Sequence, residues 1–274
     1  MYYEVNEMIL IAVAPNGARK TKADLLNIPL TAEELAIDAK ACQDAGAAMM
    51  HLHVRDNMGG HSLNVTKYEE AIGEIKKATN NQMLIQVTSE AVGKYTVKEQ
   101  FEMIYSLKPD AVSIAIREIH HFGEIEVNEI FNFMRKNNIY PQIILYNSHD
   151  VASYEKWLGD GVLPGKAYPV LYVIGKTQPK GTFRSDFLTE AFDPIKTSSW
   201  MVCGFGKFEY SAVTKAANLG GHIRLGFENN HWLNNGSIAN SNAEIISQIS
   251  DYLNKNNRDI ATYHDALEIL RPDW

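Results

Sequence analysis

Eight apolar runs, each followed by a stretch with helical spacing, constrain this chain more than any other feature. Residues 8–14 are continuously apolar, the pattern of a strand buried on both faces. Pro15-Asn16-Gly17 ends that run. Thr31 and Glu34 have the spacing of a capping box and predict a helix to about Ala45, with Gly46 as its stop. The same reading predicts further strands over residues 49–54, 83–88, 111–116, 142–146, 170–174, 200–203 and 222–227. Helices are expected over 68–78, 97–107, 127–137, 151–158, 185–191, 208–219 and 243–254, the one over 185–191 having the weakest pattern.

Eight strand-then-helix units indicate an α/β protein of the closed parallel type, a (β/α)8 or TIM barrel, with one domain over residues 1–274. Such barrels typically have about 250 residues. An open doubly wound sheet would call for a GxGxxG turn after an early strand, and the chain has none. No linker, repeat or low-complexity tract divides the sequence. The glycine- and proline-containing stretch 159–169 reads as a loop at one end of the barrel.

Composition narrows the partners. The formal net charge is -7 with no long basic run, which argues against nucleic acid or an anionic membrane. The two cysteines, Cys42 and Cys203, lie in apolar surroundings and read as buried thiols. No apolar stretch is long enough to span a bilayer, and residues 1–7 lack the basic and apolar segments of a signal peptide. A cytoplasmic protein is the expectation.

In such barrels the active site lies at the C-terminal ends of the strands. His51 and His53 fall at the end of the second strand, two residues apart and so on one face. Glu228 falls at the end of the eighth strand, which closes the barrel beside the first. Two imidazoles and one carboxylate make a His₂Glu zinc site with an open position. Taken singly, the histidines could be half-exposed strand residues and Glu228 a loop carboxylate. Their shared place at the barrel mouth favours the metal.

Three segments, residues 14–18, 45–56 and 220–230, resemble the β-keto acid cleavage enzymes, and the similarity runs through nearly the whole chain, including residues 240–244 and 260–266. The resemblance implies a (β/α)8 barrel, zinc held by His51, His53 and Glu228, and a homotetramer. It implies that a β-keto acid reacts with acetyl-CoA to give acetoacetate and the CoA ester of the remaining acyl group. Zinc would act as a Lewis acid on the keto oxygen. Arg224 would stabilise the substrate carboxylate or an enolate; as a structural residue it would pair at the barrel mouth with a carboxylate such as Asp56. Asn16, in the loop after the first strand, falls among the expected substrate contacts.

The departures from the family pattern carry information too. The family's aspartate after the metal glutamate is Asn229 here, which cannot ionise. Thr88 stands on the third strand where the family has a serine, Ser89 and Glu90 follow where glycines are usual, and Arg117-Glu118 replaces a small pair after the fourth. Positions that bind a substrate amine in the family are Arg19, Ile144 and Asn147 here. The expected substrate is therefore not 3-keto-5-aminohexanoate but a β-keto acid with an anionic or neutral acyl chain, contacted by Arg19, Thr88, Ser89 and Arg117. Arg19 and Arg117 read equally well as surface charges. Glu90 and Glu118 are candidate replacement bases, with an exposed loop charge favoured for Glu118. Lys207, after the seventh strand, is the candidate for a CoA phosphate. Two other functions stay open: another zinc-dependent lyase or aldolase on the same barrel, and a non-catalytic relative that binds zinc and a small acid. A hydrolase with its HxH on the first strand and an aspartate on the last fits poorly.

Overall fold

The eight apolar runs pair in sequence order and close on themselves. The computed structural model describes residues 8–176, 183–184, 187–188, 194–195 and 197–274. Its barrel strands are β1 (Ile11–Val13), β2 (Met49–Leu52), β3 (Leu84–Thr88), β4 (Ala111–Ala115), β5 (Tyr140–Leu145), β6 (Val170–Ile174), β7 (Trp200–Gly204) and β8 (His222–Leu225). All eight are parallel, and β8 pairs with β1 through Ile223–Ile11, Arg224–Ala12 and Leu225–Val13. The main helices are α1 (Ala32–Asp44), α2 (Val65–Ala78), α3 (Val97–Leu107), α4 (Glu124–Lys136), α5 (Ser148–Gly159), α6 (Glu209–Asn218) and α7 (Asn242–Lys255). No helix among the described residues is long and apolar enough to cross a membrane.

The two-residue period of each strand sorts its side chains. Met50, Leu52, Ile85, Val87, Ile223 and Leu225 join the apolar layer under the helices. Met49, Leu84, Ala111, Leu171 and Met201 fill the interior. One step further along the strands the inward side chains turn polar: His51, Gln86, Ser113 and Arg224 are all buried there. The apolar lower interior fixes the barrel, and the polar upper layer forms the floor of the site. Both cysteines are buried free thiols.

The capping box of α1 forms as expected, Thr31 accepting from the Glu34 amide and Glu34 reaching back. Gly46 turns the chain after it at φ +114°. Several boundaries differ from the sequence reading. The run over 8–14 splits: Met8–Ile9 pairs with Asp259–Ile260 in a separate ribbon, and only Ile11–Val13 enters the barrel. The fourth strand stops at Ala115 because residues 116–119 form a helical turn. Helix α2 begins at Val65, since the Asn64 side chain accepts from the Lys67 amide. A C-terminal helix, Tyr263–Ile269, opens with a Thr262–Asp265 capping box that the sequence reading passed over. The helix expected over 185–191 lies mostly outside the described residues; Phe187 and Leu188, which are described, are not helical.

Candidate active site

His51 faces inward one residue before the end of β2, and His53 follows one step beyond it. Their Nε2 atoms lie 3.1 Å apart. Each is 3.7 Å from Oε2 of Glu228. The three side chains form a group whose donor atoms all lie within 4.8 Å of one another. Ligands on a tetrahedral zinc at about 2.0–2.1 Å stand roughly 3.4 Å apart, so the spacing suits a divalent cation. The donor chemistry agrees. Gln86 Nε2 donates to Gln142 Oε1, which leaves Gln86 Oε1 to accept from His51 Nδ1 at 2.8 Å. That bond fixes the tautomer with a lone pair on Nε2, aimed into the group. Burial lowers the His51 pKa to about 4, keeping the ring neutral. Burial would raise the Glu228 carboxyl, but Arg224 holds it well below the usual carboxylate range. Its Oε2 is buried without a hydrogen-bond donor.

Backbone and side chains from four elements fix Glu228. Its amide donates to the Ala14 carbonyl at 3.0 Å. Asn242, the first residue of α7, accepts from the Phe227 amide at 2.7 Å and donates to the Pro15 carbonyl at 3.1 Å and to Asp38 at 3.0 Å. Glu209, the first residue of α6, accepts from the Gly226 amide at 3.1 Å and from Asn230 at 3.0 Å. Burial pushes the Glu209 pKa up to about 8. Arg55 donates to the carbonyls of Gly17 and Lys20 and so fastens the loop after β1.

The other predicted residues divide into those that face the site and those turned away. Arg224 is buried, with Nη2 3.6 Å from Glu228 Oε1; its Nε and Nη1 have no protein partner. The alternative pairing with Asp56 is not made, because Asp56 pairs with Lys94. Asn16, Arg19, Glu90, Lys207, Glu228 and Asn229 line a cavity of about 720 Å³. Asn229 donates to the Arg224 carbonyl at 3.3 Å, and its Oδ1 is buried and unpartnered. Thr88 lines a narrow chamber beneath this cavity and accepts from the Glu90 amide at 3.0 Å. Ser89 is turned away: its hydroxyl donates to the Ser113 carbonyl at 2.8 Å, tying β3 to β4. Arg117 grips Asp150 at 2.7–3.1 Å and lies 4.5 Å over the Tyr146 ring, at the wall of a second cavity of about 340 Å³. Glu118 is not the exposed loop charge expected, because it accepts from the Ala91 amide and Gln100.

The sequence reading missed Lys176, which follows β6 and stands 3.8 Å from Glu90. A lone lysine after an apolar strand gives no local signal. Asn242 and Glu209 were missed as well, since each reads as an ordinary residue opening a helix.

Residues 8–271 match the family described as beta-keto acid cleavage enzyme. The 3-keto-5-aminohexanoate cleavage enzyme of Acetoanaerobium sticklandii is 29% identical over 271 residues, covering 96% of this chain and 98% of that protein. The 3-oxoadipate:acetyl-CoA acetyltransferase of Cupriavidus necator is 24% identical over 270 residues, covering 95% and 94%. Among solved structures, that of apo ObcA has a TM-score of 0.69 at 14% identity, covering 90% of this chain. The chain spans 66% of ObcA, and that likeness shows the barrel fold alone. The family match agrees with the resemblance read from residues 14–18, 45–56 and 220–230 and through nearly the whole chain, and the chain belongs to the β-keto acid cleavage enzyme family.

Proposed function

We propose that the protein is a zinc-dependent acyltransferase that converts a β-keto acid and acetyl-CoA into acetoacetate and an acyl-CoA. The observation that carries this reading is the convergence of His51, His53 and Glu228 on one point beneath a 720 Å³ cavity, in a member of this family. A divalent cation held there would supply Lewis-acid polarisation of the keto oxygen. The chain's own groups supply the rest. Arg224 presents two unpartnered guanidinium nitrogens to a substrate carboxylate or to the oxygen of an enolate. Thr88 and Asn16 border the space where the keto acid would lie. Lys207, at the outer wall after β7, suits a CoA phosphate.

The lining also bears on the acyl chain. Among the described residues, Arg19, Lys20, Lys176 and Lys207 face the large cavity together with Glu90 and Glu228. An acyl chain bearing an amine, as in 3-keto-5-aminohexanoate, meets surplus positive charge there. An anionic or neutral chain suits it better. Arg117, spent on Asp150, contributes to the wall more than to recognition.

Purified protein should contain about one zinc per chain, and the His51→Ala, His53→Ala double variant should contain none. Incubation with acetyl-CoA and a panel of β-keto acids, scored for acetoacetate, tests the reaction. Asn229 favours one rival reading, a relative that binds metal and keto acid without turnover, because an amide cannot take a proton where the family has a carboxylate. Metal and keto acid binding with no acetoacetate from any member of the panel would establish that rival instead.

A further inference from the structure

We propose that Glu90 and Lys176 form the proton-transfer pair of this site, one residue from the end of β3 and one from the end of β6. The inference rests on the reaction proposed above. Loss of a proton from C2 of the keto acid needs a base. Asn229 and Arg224 cannot serve. Of the described carboxylates on the two cavities and the chamber, Glu228 faces the two imidazoles and Arg224. Glu118 is held by the Ala91 amide and Gln100. Among the described residues, Glu90 is the carboxylate that remains, and it lines both cavities and the chamber.

Lys176 shares all three walls with it. Its Nζ lies 3.8 Å from Glu90 Oε1, and each side chain is 16% exposed. The ammonium also lies over two aromatic rings, 5.0 Å from the centre of Phe205 and 5.5 Å from that of Tyr146. A cation so placed is fixed by ring faces on one side and a carboxylate on the other. Burial raises the Glu90 pKa above its usual value; Lys176 opposes that rise, Glu228 adds to it, and Arg19 and Arg224 assist Lys176. Glu118 faces Glu90 as a further, mostly buried carboxyl.

The pair then does two things in sequence. Before transfer, the ammonium favours the ionised, proton-accepting form of Glu90 against burial. During transfer the C2–H bond breaks, its electron pair stays on the substrate as an enolate, and the proton bonds to Glu90. The negative charge has moved from Glu90 to the substrate while the cation stays still, so Lys176 now faces the enolate. Attack on the acetyl carbonyl expels CoA thiolate, and the thiolate adds to the original keto carbon. Cleavage there releases acetoacetate as its enolate, which takes back the proton from Glu90. No oxidant or external acid is needed.

The test is exchange of the C2 hydrogens of a β-keto acid with D2O, followed by NMR with acetyl-CoA absent and metal content measured in each variant. Exchange above the uncatalysed rate is expected from the native protein. Glu90→Gln should lower it about a hundredfold, and Lys176→Met about tenfold or more. Because the two act as one unit, the double variant should be no slower than Glu90→Gln alone. Lys176→Arg should recover most of the rate, which a merely structural lysine would not require. Undiminished exchange in either single variant with metal retained overturns the pair, as does a double variant whose losses multiply. If the variants make acetoacetate as fast as the native protein, the pair falls and the proposed reaction stands. If the native protein gives neither exchange nor acetoacetate, both fall.

Discussion

Glycine at position 17 is a requirement of Glu228. Its φ is +62°, and a Cβ there would lie 2.5 Å from Glu228 Cγ. Gly17→Ala therefore adds a left-handed strain of about 1–2 kcal/mol and pushes the carboxylate out of line. We expect the variant to remain folded, to lose about that much stability in urea, and to bind zinc about tenfold more weakly or worse in a competition titration. Unchanged zinc affinity would mean that Glu228 is not a ligand or that its position is slack. At this scale the sequence revealed what residue type and strand position determine. His51, His53 and Glu228 are ligand-type residues at strand ends, and the fold rule alone placed them at one mouth. The partners of Ser89 and Arg117 could not be read locally for a tertiary reason: the groups that engage them, the Ser113 carbonyl and Asp150, lie 24 and 33 residues away. Lys176 acquires meaning from Glu90, Tyr146 and Phe205, none of them its neighbour in the chain.

The segment after β8 is held between the starts of two helices, α6 through Glu209 and α7 through Asn242. These contacts set where Glu228 points although neither residue reaches the cavity centre. Glu209 carries a pH signature. Its pKa in the folded chain, about 8, lies above the ordinary carboxyl value, so the folded state keeps a proton that the unfolded chain releases. Its contribution is fully present below about pH 4.5 and is lost as pH rises toward 8. Glu209→Gln abolishes that slope. The variant, compared with the native chain by urea unfolding, should gain in relative stability between pH 5 and pH 8; parallel curves would show that Glu209 is ionised in the fold throughout. Asn242→Ala should loosen the loops bearing Asn16 and Glu228 together, and faster amide exchange at Phe227 is the measurement. The order of elements was legible because strand and helix periods are local properties. The break after Ile9 was not, since it depends on whether residues 8–9 find Asp259–Ile260 or β8 as partner. The Thr262 capping box was readable in the sequence and was passed over because seven residues give little periodicity.

Closure of the barrel is the step on which the whole molecule depends, because only when β8 meets β1 do Glu228 and the histidines share one mouth. Part of that seam is a side chain: His222 Nδ1 accepts the Leu10 amide at 3.1 Å. The bond requires a lone pair on Nδ1, and burial lowers the ring's pKa to about 4. An unfolded histidine takes its proton near pH 6.5. The folded state therefore binds that proton later than the unfolded state does. The stabilisation is present above pH 6.5 and is lost as pH falls toward 4, by about 1.4 kcal/mol per pH unit for one histidine. His61, with its pKa also lowered to about 4 by burial, adds to the same slope. We expect urea unfolding of the chain to show stability falling across this window. His222→Gln, which keeps a carbonyl oxygen for the Leu10 amide but cannot titrate, should reduce the slope by about one proton. An unaltered slope in that variant would mean that the seam is protonated without penalty, and the acid sensitivity would then belong to His61 and the buried imidazoles of the site.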